Sequence, residues 1–212
     1  MTPRTKKSLL IFDFDGTIAD TLPVAITIVN ALGKEFGFPQ LKQNEFLELK
    51  HKSIKELLEI SGLSWLQLPL FVKRARDLFK EHLLEVHPIL GMPEILHTLH
   101  RRGYRMGILT SNTQEGVRQF LHSNDVQGFE FIHAPDSLFG KSKVIRKIMK
   151  ASRLSPQEIV MIGDEVRDIE AAQKAGVESV GVTWGFNSAQ LLKTTGPDHV
   201  VEEPDELLRL FA

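Results

Sequence analysis

The stretch LLIFDFDGTIAD, residues 9–20, places four apolar side chains, Leu9 to Phe12, directly before Asp13 and Asp15. A short continuous apolar run of this kind has the pattern of a buried strand. A carboxylate at the end of such a strand is costly to desolvate unless it is paired or bound. Two of them, separated by one residue, mark the strand's carboxyl end as a site.

Four further runs have the same character: Arg105–Leu109, Phe129–His133, Ile159–Ile162 and Ser179–Thr183, while the first extends from Ser8 to Phe12. Helical patterns lie between most of them. In MPEILHTLHRRG, residues 92–103, Pro93 suits a first turn and Gly103 a C-terminal stop. In KVIRKIMKASRL, residues 143–154, Val144, Ile145, Ile148 and Met149 form one stripe. Strand alternating with helix predicts an α/β class: a Rossmann-like parallel sheet with helices on both faces. HVVEEPDELLRLF, residues 199–211, reads as an edge strand and a closing helix.

The alternation breaks between Leu22 and about Val86. Leu22, Ile26, Val29, Leu32 and Phe36 recur at helical spacing, and SIKELLEISG and FVKRARDLFKEHLLEV follow without a strand pattern. This predicts an inserted all-helical cap domain over residues 19–86, with residues 1–18 and 87–212 forming the core domain.

A chain of 212 residues with a formal net charge of −1 can bury a substantial core but carries no field that favours nucleic acid or an anionic membrane. It has no cysteine, which excludes disulfides and thiolate-held metals. The basic start MTPRTKK is followed by an apolar run too short for a signal peptide, and no run reaches membrane-spanning length. The expectation is a soluble, cytoplasmic protein, monomer or homodimer, with neither nucleic acid nor membrane as a partner.

Polar residues fall just after three of the strands. Asp13, Asp15 and Thr17 follow the first; Thr110, Ser111 and Asn112 follow Leu109; Gly163 and Asp164 follow Ile162, with Asp168 one turn later. In a parallel sheet these positions share the carboxyl edge, where open α/β sheets bind ligands. Carboxylates are hard donors suited to Mg²⁺. An ionised Asp can attack phosphorus, and a second acid can protonate the leaving oxygen and then deprotonate water. Hydroxyl and amide donors at residues 110–112, with a lysine, suit the charge on a transferring phosphoryl group. The chemistry indicated is metal-assisted phosphoryl transfer.

DFDGT, ILTSN and GDEVRD, in that order, resemble the motifs of the haloacid-dehalogenase-like hydrolase superfamily, mostly phosphatases, over nearly the whole chain. PILGMPEILHTLHRRGYRMGILTSN, residues 88–112, is similar to the phosphoglycolate-phosphatase-like branch, which carries a helical cap after its first motif. The resemblance implies that Asp13 is nucleophile and metal ligand, and that Asp15 is acid/base and binds the metal through its carbonyl. Thr110 then binds phosphate, Asp164 is the third protein ligand, and Asp168 supports the metal through water. It implies Mg²⁺ as cofactor and a small phosphorylated metabolite as substrate, phosphoglycolate first among them.

The chain departs from the branch's Lys-Pro pair: FGKSKVIRK offers Lys141, favoured by its distance from Gly163, or Lys143. Ser111 and Asn112 stand in place of the branch's usual Asn-Lys, a change expected to alter substrate contacts; with Thr17 they are candidate substrate-binding residues. In the cap stretch ELKHKSIKELL, Lys50, His51 and Lys52 either greet an anionic leaving group or form a solvated turn. His97, His100 and Lys73–Arg76 read as exposed helix faces, and TWGF, residues 183–186, resembles a loop of the branch or a packed strand end. Two rival activities remain: a phosphosugar mutase or other phosphotransferase on the same machinery, and a phospho-Asp signalling or binding protein. A dinucleotide site is disfavoured, because no G-x-G-x-x-G follows the first strand.

Overall fold

The computed structural model describes residues 7–135 and 140–212; the basic start of the chain and Phe139, both weighed above, lie outside them. In chain order, β1 (Leu9–Phe12) and a two-residue strand β2 (Ala19–Asp20) come first. Four helices follow: α1 (Leu22–Phe36), α2 (Gln43–Leu49), α3 (Ile54–Ser61) and α4 (Leu68–Glu81). A second two-residue strand, β3 (His87–Pro88), precedes α5 (Met92–Arg101), β4 (Arg105–Leu109), α6 (Gln114–Ser123), β5 (Phe129–His133) and α7 (Lys141–Ser152). The chain closes with β6 (Ile159–Gly163), α8 (Val166–Ala175), β7 (Glu178–Val182), α9 (Ala189–Thr194), β8 (His199–Val201) and α10 (Glu206–Leu210).

Six of these strands form one parallel sheet in the order β5-β4-β1-β6-β7-β8. The chain starts in the middle, builds out through β4 and β5, and then crosses back to β6 on the other side of β1. The strand order therefore reverses between β1 and β6, and ligands of open α/β sheets collect at that crevice.

Alternate residues of β1 serve opposite faces. Leu10 and Phe12 pack with residues of α5, α6 and α10, such as Leu96, Phe120 and Leu207. Leu9 and Ile11 pack with Ile145 and Ile148 of α7 and Ala171, Ala172 and Ala175 of α8. All four residues of β1 are fully buried, which explains its unbroken apolar run. The doubly covered sheet and the helical cap expected from the sequence are both present.

Among the described residues between Leu22 and Val86 there is no strand. Helix α1 has Pro23 in its first turn and ends on Gly37 at φ 83°. Helix α3 opens on a capping box in which Ser53 and Glu56 satisfy each other's backbone N–H groups. Helices α1 and α4 pack together through an edge-on contact of Phe36 with Phe71, ring centres 5.5 Å apart. A two-pronged Arg74–Glu35 pair at 3.0–3.2 Å joins the same helices; being solvent-screened, it adds little to stability.

The antiparallel pairing of β2 with β3, Ala19 opposite Pro88 and Asp20 opposite His87, was not expected from the sequence. Strands of two residues carry no readable alternation. They stand where the chain enters and leaves the helical segment.

Candidate active site

Asp13 follows β1, and its N–H donates to Ile162 O at 2.8 Å, holding the residue against β6. Its Oδ1 accepts from Phe14 N at 2.7 Å, and its Oδ2 lies 2.7 Å from Lys141 Nζ. Asp164 follows β6; Oδ1 accepts from Thr17 Oγ1 at 2.8 Å and Oδ2 from Phe186 N at 2.7 Å. Asp168, in the first turn of α8, accepts from Lys141 Nζ at 2.6 Å and from Glu165 N at 3.2 Å. Carboxylate oxygens of Asp13, Asp164 and Asp168 come within 4.8 Å of one another, and all three residues are buried.

Close backbone approach makes this clustering feasible. Gly16 adopts φ 72°, and a Cβ there would lie 2.3 Å from Asp164 Oδ2. At Gly185, in the TWGF loop, a Cβ would lie 2.2 Å from the same oxygen. The loop is thus part of the site: Phe186 N holds Asp164, and Trp184 Nε1 donates to Thr17 O at 3.2 Å.

Burial raises the carboxyls of Asp13, Asp164 and Asp168, the last to about 6. Burial pushes the Lys141 ammonium down, but Asp13 and Asp168 outweigh it and hold the group charged above the usual lysine range. Lys141 and Arg167 face Asp13, Asp164, Asp168 and Glu165, which leaves negative charge uncompensated. Hard oxygen donors, clustered, desolvated and undercharged by their own neighbours, fit a divalent cation of the Mg²⁺ type.

Asp15 sits across the crevice. Its Oδ1 accepts from Asn112 Nδ2 at 3.2 Å and its Oδ2 from Thr110 Oγ1 at 3.4 Å. Thr110 in turn accepts from Asn112 N at 2.9 Å. Burial lifts the Asp15 carboxyl to about 6, against the opposing hydrogen bond from Asn112 and the charge of Lys141. A carboxyl in that range is suited to exchanging protons near neutral pH.

Asp13, Asp15, Ser111 and Asn112 line a cavity of about 280 Å³ roofed by α1 and α4. Lys143 is exposed on α7, whereas Lys141 is buried in the acid cluster. Lys50 and Lys52 do not line this cavity; they border an adjoining, larger and mostly apolar one of about 510 Å³ between the cap helices and α8, which shares Val29, Phe71, Arg167 and Phe186 with the first. His51 is exposed, as are His97 and His100.

Reading Lys73–Arg76 wholly as an exposed face is corrected at Ala75 and Arg76, which both line the catalytic cavity. Arg76 is half-buried, lines the catalytic cavity and donates from Nε to Ser111 O at 2.7 Å. It lies four residues after Val72 and three before buried Phe79, on the inward stripe of α4, and that spacing was the available signal. Glu165 and Arg167, an ion pair inside GDEVRD, also line the cavity.

The family model for haloacid dehalogenase-like hydrolases matches residues 10–182. A phosphoglycolate phosphatase from Synechococcus elongatus is 31% identical over 201 residues, covering 94% of this chain and 95% of that protein. One from Vibrio parahaemolyticus is 26% identical, covering 96% of each. Among solved structures, a predicted phosphatase from Clostridium acetobutylicum superposes with a TM-score of 0.81 at 26% identity, covering 97% of this chain and 98% of that one. A haloacid dehalogenase-like hydrolase from Streptococcus pneumoniae superposes at 0.79 with 23% identity, over 97% and 99%.

Proposed function

Because the chain belongs to the haloacid dehalogenase-like hydrolases, we propose that it is a Mg²⁺-dependent phosphatase that works through an aspartyl-phosphate on Asp13. The substrate is a small phosphate monoester, with phosphoglycolate the leading candidate because the relatives above carry that name over nearly the full length of the chain. The observation that carries the reading is the meeting of Asp13, Asp164, Asp168 and Lys141 at the β1/β6 crevice. In this reading residues 1–18 and 87–212 form the catalytic core domain and residues 19–86 the cap domain.

Mg²⁺ would be held by Asp13, Asp164 and the Asp15 carbonyl, with Asp168 acting through water, and supplies charge neutralisation at the phosphoryl oxygens. Asp13 attacks phosphorus while the bond to the ester oxygen breaks and Asp15 delivers its proton to that oxygen. Water then attacks the aspartyl-phosphate; Asp15 takes the proton, phosphate leaves and Asp13 is regenerated. Thr110 and Lys141 hold the phosphoryl oxygens, and Thr17, Ser111 and Asn112 fix the rim around them. The cap excludes water from the intermediate before the leaving group departs.

Phosphate release from phosphoglycolate and a panel of monoesters, with Mg²⁺ and with chelator, tests the reading. Mg²⁺-dependent turnover that Asp13→Asn abolishes is expected; full activity in that variant refutes the mechanism. Conversion of a sugar monophosphate to its positional isomer, without free phosphate, assigns the chain to the mutases instead. A phospho-Asp13 that persists for hours without turnover assigns it to phospho-Asp signalling.

A further inference from the structure

We propose that Arg76 is a specificity-determining residue that binds a carboxylate on the leaving group; the proposal rests on the phosphatase reading above. The cap side of the catalytic cavity is an apolar wall, built from Ile28, Val29, Phe71, Val72, Ala75 and Phe79. Arg76 interrupts it. Only its Nε is engaged, by Ser111 O, and no carboxylate pairs with it among the described residues. The rest of the planar fork is therefore available to an acceptor, and guanidinium groups suit carboxylates better than any other side chain does.

A second arginine of the cavity lining also carries spare donors. Arg167 pairs with Glu165 through Nη2, but its Nε and Nη1 are buried and have no hydrogen-bond partner. Arg167 lies among the acids, where Glu165, Asp168 and Asp13 already share its charge. Among the described residues lining the cavity, that leaves Arg76 as the cation with no carboxylate beside it. The cap lysines are poorer candidates: Lys50 and Lys52 border the other cavity, and Lys52 already faces Glu56 at 3.5 Å. An ester without an anionic leaving group would bind beside Arg76 and leave its donors unpaired against apolar surface, which disfavours it.

The test compares kcat/KM for phosphoglycolate with that for 2-hydroxyethyl phosphate, whose leaving group has similar size and no charge, at fixed Mg²⁺. The native protein is expected to prefer phosphoglycolate by about tenfold or more, the scale of a charge-assisted hydrogen bond. Arg76→Gln should reduce that preference about tenfold, mainly through KM for phosphoglycolate, and Arg76→Lys should retain part of it. Arg76→Glu should shift relative preference toward 2-aminoethyl phosphate. Melting curves confirm that each variant is folded.

Equal loss on both esters in Arg76→Gln would mean that the residue only clasps the cap to Ser111, and it overturns the proposal. So does an unchanged ratio, or a native protein that hydrolyses both esters without preference; the phosphatase reading survives all three. Absence of phosphate release from every ester overturns the phosphatase reading itself, and the proposal with it.

Discussion

Replacing Lys141 by Met keeps the length of the side chain and removes its charge. Lys141 is 3% exposed, with Nζ 2.7 Å from Asp13 Oδ2 and 2.6 Å from Asp168 Oδ1. Removing one partner of a buried ion pair costs about 3–5 kcal/mol, because the remaining charge stays desolvated. In a chain of this size each kcal/mol lowers Tm by about 2–4 °C, so a fall of roughly 6–20 °C is expected in chelator at pH 7.5. The loss should shrink at pH 5.5, where the orphaned carboxyls escape by taking up protons. Phosphate release should fall by about two to three orders of magnitude, as when one preorganised donor to a transition state is removed. Thermal unfolding with and without Mg²⁺, and an initial-rate assay, read both effects. Exposed Lys143→Met is the comparison and should melt within about 2 °C of the native protein, as surface substitutions usually do. If Lys141→Met melts as the native protein does and keeps its rate, the lysine is not what holds the acids together.

Three further outcomes are expected. Gly185→Ala drives a Cβ to 2.2 Å from Asp164 Oδ2, and displacing that carboxylate should raise the Mg²⁺ concentration for half-maximal rate about tenfold, equivalent to about 1.4 kcal/mol; an unchanged titration refutes the cradle. Thr17→Val deletes the 2.8 Å hydrogen bond to Asp164 Oδ1 without changing shape, and should cost about 1–3 kcal/mol in a denaturant titration of the metal-free protein. Finally, Asp15 and Asp168 have carboxyls raised to about 6, so the folded state holds their protons more tightly than the unfolded chain does. Their contribution to stability is complete below about pH 4, the unfolded value, and is lost as pH rises through about 6. Chelated protein should therefore lose Tm between about pH 4 and 6.5, and Mg²⁺ at pH 7.5 should restore it; a chelator without effect on Tm at pH 7.5 contradicts this.

The sheet was legible because its inner strands β1, β4, β6 and β7 are buried on both faces and read as apolar runs, whereas the edge strands β5 and β8 are only half-buried. The acids were legible for the opposite reason: Asp13 and Asp164 violate the burial rule where an apolar strand ends. The β2–β3 pair escaped notice because two residues hold no period. Arg76 was hidden by its neighbours, since Lys73 is exposed and Arg74 turns to Glu35, and only the spacing to Val72 and Phe79 separates it from them. The choice between Lys141 and Lys143 turns on which way the first turn of α7 faces, and the apolar stripe carries that: Lys141 lies four residues before Ile145 and seven before Ile148, both buried, whereas Lys143 falls off that line. The part played by Gly185 and Phe186 depends on β7 lying beside β6, a long-range pairing that becomes visible only once the chain is folded.

The paired strands Ala19–Asp20 and His87–Pro88 have a consequence for how this chain can be rebuilt. Neighbouring strands lie about 4.8 Å apart, so everything between them starts and finishes at almost one point in space. A segment with coincident ends is topologically a loop, whatever it contains. The entropy of closing a loop grows only as the logarithm of its length, about 0.6 kcal/mol per doubling. The cost of closing that loop is therefore nearly indifferent to how much chain is housed there, so what ties the segment to the sheet is the apolar cluster it shares with Phe12 and Phe14. A different helical bundle grafted at Asp20 and His87 that re-covers Phe14 and Ile18 should leave the parallel sheet in register and change what reaches the crevice from above.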